Sequence, residues 1–152
     1  MSELTHINQD GDAKMVDVSD KEVVLREAIA VGEIRMATET IELIEGNSIA
    51  KGNVLATARL AGIMAAKKTG DLIPLCHPLP INHAEVNFEI PESRDRIIIR
   101  ASAKIAAKTG VEMEALTAVA VAGLTIYDMC KAADKRMCLE EVKLISKTKT
   151  AI

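Results

Sequence analysis

Two runs of alternating polar and apolar residues, separated by a turn sequence, constrain the fold of this chain more than any other feature. Between Ile81 and Ile105 the apolar positions recur at every second residue, as they do in strands that bury one face. In the first run these positions are Ala84, Val86, Phe88 and Ile90. After the turn sequence PESRD they are Ile97, Ile99, Ala101 and Ala103. The pattern predicts an antiparallel hairpin with one apolar face.

Charge suggests a register for this hairpin, because the polar positions of the first run are mainly acidic and those of the second are basic. One antiparallel register places Glu89 opposite Arg96, Glu85 opposite Arg100, and Val86 opposite Ile99. Opposite charges across a strand pair contribute only about 0.2–1 kcal/mol each, but here the apolar pattern favours the same pairing. We therefore expect this register.

The first half of the chain predicts a strand followed by two helices. Residues Arg26–Met36 alternate as in a strand, with a slip of phase near Gly32. A short helix follows, with Thr38 as its predicted cap and Gly46 as its stop. A second helix is predicted from Asn53 to Gly70, and Asn53 can cap it. Lys67 and Lys68 suit its C-terminal end, which is the negative end of the helix dipole.

The second half predicts a long helix and a final strand. Residues Val111–Asp134 are rich in alanine and read as one helix, and residues 137–150 read as a strand. The complete order is strand, helices, two strands, helix, strand, which predicts a ferredoxin-like α+β fold whose antiparallel sheet packs against helices. We expect a flexible N-terminal arm at residues 1–20 and a single domain at residues 21–150.

Composition excludes several classes of protein. The net charge is −3 and the only aromatic residues are Phe88 and Tyr127, so neither the basic grooves nor the stacking platforms of nucleic-acid binders are expected. The chain starts without an apolar stretch, and no segment has the unbroken apolar run of a membrane span. Its three cysteines form no CxxC pair, which favours the reducing cytoplasm over a disulfide framework.

The segment KKTGDLIPLCHPLP concentrates three of the four prolines around two reactive side chains, Cys76 and His77. Pro74 and Pro78 restrict the backbone on both sides, so this loop loses little entropy when it contacts a ligand. The simpler alternative is a crossover in which the prolines only end a helix and Cys76 is a small buried apolar residue. A metal site of Cys76, His77 and His83 fits no regular zinc spacing. A nucleophile pair of Cys76 and His77 is equally weak, because the side chains of adjacent residues seldom meet.

The long helix carries charged residues at both ends of one stripe. The stripe consists of Glu114, Thr117, Val121, Leu124, Asp128 and Lys131. Glu114 and Lys131 are 17 residues apart, which is about 25 Å along a helix. A small ligand does not span that distance. If both ends serve one reaction, they come from different subunits and the site lies at an interface.

With these segments assembled, the chain closely resembles the molybdenum cofactor biosynthesis protein C family. The resemblance runs from about Leu4 to Lys149 and is carried by KTGDLIPLCHPL, GVEMEALTAVAVAGLTIYDMCKA and the early MVDVSDK. It implies a ferredoxin-like subunit in a hexamer built as a trimer of dimers. It also implies a cyclic pyranopterin monophosphate synthase that converts 3′,8-cyclo-7,8-dihydroguanosine triphosphate to cyclic pyranopterin monophosphate and pyrophosphate.

The resemblance implies roles for individual residues as well. Asp128 and Lys131 are expected to be catalytic, with Lys51 taking part as an acid. The residues expected to contact substrate are Leu75, Cys76, His77, Met113, Glu114 and Glu112. Candidates for holding the triphosphate are Lys67, Lys68 and Lys147, with Lys21 or Arg26 from a neighbouring subunit.

No resident metal or cofactor is expected, although a Mg²⁺ can accompany the triphosphate. Two alternatives remain open. One is a non-catalytic nucleotide-binding or assembly module of the same fold. The other is a metal-dependent hydrolase that uses Cys76, His77, His83 and carboxylates.

Overall fold

A computed structural model describes residues 5–152 and contains the predicted succession of strands and helices. The strands are β1 (Val24–Arg35), β2 (His83–Glu89), β3 (Arg96–Ala107) and β4 (Cys138–Thr150). The helices are α1 (Thr38–Glu45), α2 (Val54–Lys67), α3 (Thr69–Leu72) and α4 (Glu112–Cys130). The chain therefore has an α+β fold with the order strand, three helices, two strands, helix, strand.

The four strands form one antiparallel sheet in the order β2-β3-β1-β4. Helix α4 packs against β1, β3 and β4, and α2 packs against α4 and β2. The core lies between this helical layer and one face of the sheet, and its fully buried members include Ile34, Ile97, Ile99, Ile126 and Val119. The sheet thus supports α4, which carries four of the predicted site residues: Glu112, Met113, Glu114 and Asp128.

The predicted hairpin is present, but its predicted register is wrong by two residues. Glu89 lies opposite Ile98, and Asn87 rather than Glu85 lies opposite Arg100. Arg96 instead pairs with β1, where its guanidinium contacts Glu33 at 2.8 Å. A two-residue shift keeps every side chain on its predicted face, so the apolar face is preserved while the charge pairs are not.

Strand β1 also differs from its prediction, because it has no slip of phase. Ala28, Ala30, Gly32 and Ile34 all face the core. A Cβ on Gly32 would lie 2.7 Å from Val119 Cγ1, so α4 approaches the strand closely at this glycine. The irregularities lie instead in the pairing of β1 with β4, where the register shifts twice.

The helix boundaries confirm some of the predicted caps and correct others. Asn53 caps α2 by accepting a hydrogen bond from the Ala56 N–H at 3.0 Å, and α1 ends at Gly46 as predicted. Thr38 is not a cap: α1 begins after Ala37, and the Thr38 hydroxyl donates to the Arg94 carbonyl at 2.7 Å. Gly70 does not end α2 but lies within α3.

Helix α4 ends at Cys130, four residues before its predicted end at Asp134. The Asp134 carboxylate accepts hydrogen bonds from the Ala37 N–H, the Thr40 hydroxyl and the Arg136 N–H at 2.9–3.0 Å. These contacts turn the chain out of the helix and join the end of α4 to the start of α1.

Helix α4 is also, within residues 5–152, the one helix long and apolar enough to cross a membrane. Half of its apolar window is buried inside the fold, as is typical of a core helix. The described part of the predicted arm has one isolated bridge, between Ile7 and Ala13. The arm's first four residues lie outside the described residues, and its flexibility stays a prediction.

Candidate active site

The proline-rich loop between α3 and β2 is packed firmly against the helix that precedes it. A Cβ on Gly70 would lie 2.8 Å from Pro78 Cα, so the loop backbone rests directly on this glycine. The Cys76 N–H donates to the Ile73 carbonyl at 3.1 Å, which closes a turn just before His77. The loop therefore presents Cys76 and His77 on a fixed backbone.

A cavity of about 520 Å³ lies against this loop. It brings together six of the predicted site residues: Leu75, Cys76, His77, Glu112, Met113 and Lys147. They come from the loop, from the first turn of α4 and from β4. The antiparallel sheet makes this possible, because it places the end of β4 beside the start of β1 and hence beside the loop that enters α4.

Glu114 is the buried carboxyl group of the site. It is 2% exposed, and the Cys76 thiol donates to its Oε1 at 4.0 Å. Burial is the main cause that raises the pKa of Glu114 to about 7, and the charge of Glu112 raises it further. Burial likewise raises the pKa of the Cys76 thiol, with the Glu114 and Glu112 charges adding to the effect. Near neutral pH, Glu114 can therefore both donate and accept a proton.

Three buried oxygens around the site have no hydrogen-bond partner within residues 5–152. They are Thr109 Oγ1, Glu112 Oε2 and Glu114 Oε2. Buried polar atoms are almost always paired, so these three oxygens mark places where water or a ligand supplies the partner. Sequence reasoning missed Thr109. The neighbouring Gly110 marks this part of the site in the structure, since a Cβ there would collide with the Glu112 carboxylate.

Basic side chains surround the open side of the site. A second cavity of about 760 Å³ shares Lys21, Arg26, Glu112 and Lys147 with the first. Arg26 is held in place by donating to the Ala107 and Lys108 carbonyls, both at 3.2 Å. Lys147 Nζ lies 3.5 Å from Glu112 Oε1. Within one subunit this arrangement already suits a phosphorylated ligand.

Lys67 lies apart from these residues. It lines a third cavity, of about 340 Å³, together with Lys68, Glu114 and residues 78–80 of the proline-rich loop. Glu114 links the two cavities, because it lines this one and its Oε1 lies 4.0 Å from the thiol of Cys76, which lines the main cavity.

The three residues predicted to be catalytic form a second cluster at the other end of α4. Asp128 accepts from Lys51 at 2.9 Å through Oδ2 and contacts Lys131 at 3.0 Å through Oδ1. Lys51 also donates to the Asp128 carbonyl at 3.1 Å. These hydrogen bonds, first from Lys51 and then from Lys131, lower the pKa of Asp128. All three side chains are half-exposed.

The structure therefore divides the predicted site residues into two groups. Glu114 and Lys131 are separated by 17 residues, so the groups are about 25 Å apart along the helix axis. His83 belongs to neither group, since it lines a cavity with Glu85 and Arg100 on the sheet. No set of three His, Cys, Asp or Glu residues is arranged to hold a metal ion in the part of the chain that the structure describes.

The fold and the site together define an antiparallel α+β protein with a cavity lined by carboxyl groups and basic side chains. Comparison with known proteins identifies the family. The family model described as the MoaC family matches residues 15–150, and the chain belongs to that family.

Its relatives carry one name. The cyclic pyranopterin monophosphate synthase of Roseiflexus sp. (strain RS-1) is 53% identical over 148 residues, which cover 97% of this chain and 94% of the relative. Proteins of the same name from Desulforapulum autotrophicum and Clostridium perfringens are also 53% identical, over 97% and 96% of this chain and 91% and 92% of the relatives.

Proposed function

We propose that this chain is a cyclic pyranopterin monophosphate synthase of molybdenum cofactor biosynthesis. Its substrate would be 3′,8-cyclo-7,8-dihydroguanosine triphosphate, its products cyclic pyranopterin monophosphate and pyrophosphate, and its class a phosphorus–oxygen lyase. The membership of the family and the name of its relatives support this function. The observation that carries it is the cavity that brings Thr109 and Glu112, each with an unpaired buried oxygen, together with the basic Lys21, Arg26 and Lys147.

The carboxyl groups suit the purine-derived part of the substrate. The guanine edge offers N–H donors, and Glu112, Glu114 and Thr109 each supply a buried oxygen that needs one. With so few aromatic residues, recognition rests on these hydrogen bonds and on the apolar Leu75 and Met113 rather than on stacking.

The basic residues suit the triphosphate. Formation of the cyclic phosphate expels pyrophosphate, whose negative charge must be stabilised as it leaves. Lys21, Arg26 and Lys147 line the cavities on the open side of the site and are placed for this role. Lys67, beyond the proline-rich loop, is placed to reach a ligand only from the opposite side.

The second cluster suits proton transfer. Opening and reclosing rings requires acids and bases, and a lysine is a proton donor when its ammonium is correctly oriented. Asp128 orients both Lys51 and Lys131, and we assign it and Lys131 as the catalytic pair with Lys51 as an acid.

Because the two clusters lie at opposite ends of α4, we propose that one subunit supplies Glu114 and its neighbours and another supplies Asp128, Lys51 and Lys131. The assembly would be a hexamer of ferredoxin-like subunits, arranged as a trimer of dimers in the cytoplasm. The strand order β2-β3-β1-β4 supports the ferredoxin-like assignment, because each of its two helical crossovers joins parallel strands that have one antiparallel strand between them. We propose no resident metal, and Mg²⁺ would enter with the triphosphate.

The test supplies the cyclised nucleotide and measures release of pyrophosphate. We expect turnover by the wild-type chain and its loss in Lys131→Ala, with binding of the nucleotide retained in the variant. Lys135→Ala, four residues further on, is the matched control and should turn over normally. Binding without turnover in the wild type would favour the non-catalytic module instead.

Two further measurements separate the remaining readings. Turnover that survives thorough chelation of an assay without added metal would exclude the metal-dependent hydrolase. Sedimentation tests the shared site, because a fully active monomer would contradict it.

A further inference from the structure

The segment Val16–Lys21, which we call the roof segment, covers the main cavity although it belongs to no helix or strand. Val16 and Val18 are half-buried, and with Lys21 they line the cavity opposite the proline-rich loop. The segment is shaped locally by Asp17, which accepts hydrogen bonds from the Ser19 N–H at 2.9 Å and the Ser19 hydroxyl at 2.6 Å. It is therefore a defined turn rather than an extended tail.

Two side chains from different parts of the fold hold the roof segment in place. His77 Nε2 lies 2.7 Å from the Val16 carbonyl, and because a carbonyl only accepts, the ring carries its proton on Nε2. Lys108 Nζ donates to the Ser19 carbonyl at 3.0 Å. His77 lies on the loop before β2, whereas Lys108 lies just after β3. The two anchors flank the cavity and hold the two ends of the turn.

We propose that the roof segment is a closing wall of the ligand site and that His77 and Lys108 are positioning residues that hold it in place. This closure brings Lys21 to the phosphate end of the ligand. Both anchors bind main-chain carbonyls, so these two contacts do not involve the side chains of Val16 or Ser19. The closure itself is independent of the proposed function. Only the role of Lys21 toward the leaving pyrophosphate rests on the proposed function.

Limited proteolysis of the full-length chain without ligand tests the closure. Trypsin binds several residues on each side of the bond that it cuts, and after Lys14 these include the anchored Val16, so the rate of cleavage there reports how often Val16 is released. His77→Phe keeps a ring but removes the donor, and Lys108→Met removes the second anchor. Each should raise cleavage at Lys14 about 2- to 10-fold, which corresponds to one net hydrogen bond.

Matched variants show whether the hydrogen bond is the cause. His83→Phe changes the exposed histidine of β2, and Lys104→Met changes a lysine that pairs with Glu27 on the sheet, so neither should alter cleavage. His77→Gln restores an N–H near the position of Nε2 and should cleave like the wild type. Unchanged cleavage in His77→Phe, or equal acceleration in His77→Gln, would overturn the anchoring role of His77.

Inorganic pyrophosphate tests the role of Lys21. If Lys21 meets the phosphate end of the ligand, pyrophosphate should slow cleavage after Lys21 at least severalfold in the wild type and much less in Lys108→Met. Equal cleavage with and without pyrophosphate would overturn this role, even if the chain releases pyrophosphate in the turnover assay.

Turnover supplies a readout that a purely structural role would not affect. If Lys108 acts through Lys21, then Lys108→Met should lower kcat/KM in the wild-type background but not in Lys21→Ala. Additive losses would show that Lys108 does not act through Lys21. Loss of turnover in every form, including the wild type, would instead reject the proposed function and leave the proteolysis result standing.

Discussion

Replacing Glu114 by Gln should make the stability of the chain less dependent on pH. Glu114 is 2% exposed, and its pKa rises from the ordinary 4.5 to about 7 chiefly through burial. The unfolded chain exposes this group to water, so its pKa there is close to the ordinary value. Gln has nearly the same shape and does not titrate.

The sign and size of the effect follow from linkage. Between pH 4.5 and 7 the folded chain holds a proton on Glu114 that the unfolded chain has already lost, so stability falls as pH rises through this range. Below pH 4.5 the effect vanishes, and above pH 7 it is complete. A rise of roughly 2.5 pH units at about 1.36 kcal/mol per unit gives a full effect of about 3 kcal/mol. Between pH 5 and pH 8 the change is about 2–3 kcal/mol.

The assay compares urea unfolding of the wild type and Glu114→Gln at pH 5 and pH 8, at one protein concentration. Other groups titrate in both proteins, so their contributions cancel when the free energies of unfolding are subtracted at each pH. We expect Glu114→Gln to gain about 2–3 kcal/mol on the wild type between the two pH values. Glu92→Gln, in the exposed β2–β3 turn, should gain nothing. A gain for Glu114→Gln of less than about 0.5 kcal/mol would show that Glu114 is not desolvated as argued.

Two other substitutions and one labelling experiment test separate parts of the structure. Gly70→Ala should cost about 1–3 kcal/mol in urea unfolding and lower turnover severalfold, because the new Cβ collides with Pro78 and moves the proline-rich loop; unchanged unfolding and turnover would contradict this. Asp134→Ala should cost about 2–4 kcal/mol in the same assay, since it leaves three donors, among them the buried Thr40 hydroxyl, without their partner, and a cost below about 1 kcal/mol would count against that account. Alkylation of Cys76 by iodoacetamide at pH 8 should be severalfold faster in Glu114→Gln, because the Glu114 charge helps to raise the pKa of the thiol. Mass spectrometry of the modified peptide measures the alkylation rate. Equal rates in the two proteins would refute the influence of the Glu114 charge on Cys76.

The sequence predicted the faces of the hairpin but not its register, and the turn explains why. Alternation with period two fixes which side chains point to the core, and every such side chain is on its predicted face. The register depends on the turn, where Arg94 adopts a positive φ of 50° and the strands begin to pair only beyond it. It also depends on a third strand, because Arg96 pairs with Glu33 of β1. Neither influence is visible in the hairpin's own sequence.

The site was predicted in part, for a related reason. Residues with distinctive side chains in short motifs, such as Cys76, His77 and Glu114, could be named in advance, and the structure brings them to one place. The motif MVDVSDK, which contains the roof segment, was also singled out, but its attachment could not be predicted, because His77 and Lys108 hold it through main-chain carbonyls. Every residue has such a carbonyl, so no pattern of side chains marks the ones that are used.

The two clusters of site residues cannot be brought together by ordinary motion of one subunit. Helix α4 is packed along its length: a Cβ on Gly62 of α2 would lie 3.0 Å from the Ala118 carbonyl, and one on Gly123 would collide with Leu139 of β4. Bending the helix enough to bring its ends together would break this packing and its own hydrogen bonds, at a cost beyond the stability of a typical domain. If Glu114 and Lys131 act on one substrate, the rigidity of α4 therefore requires that they belong to different copies of the chain.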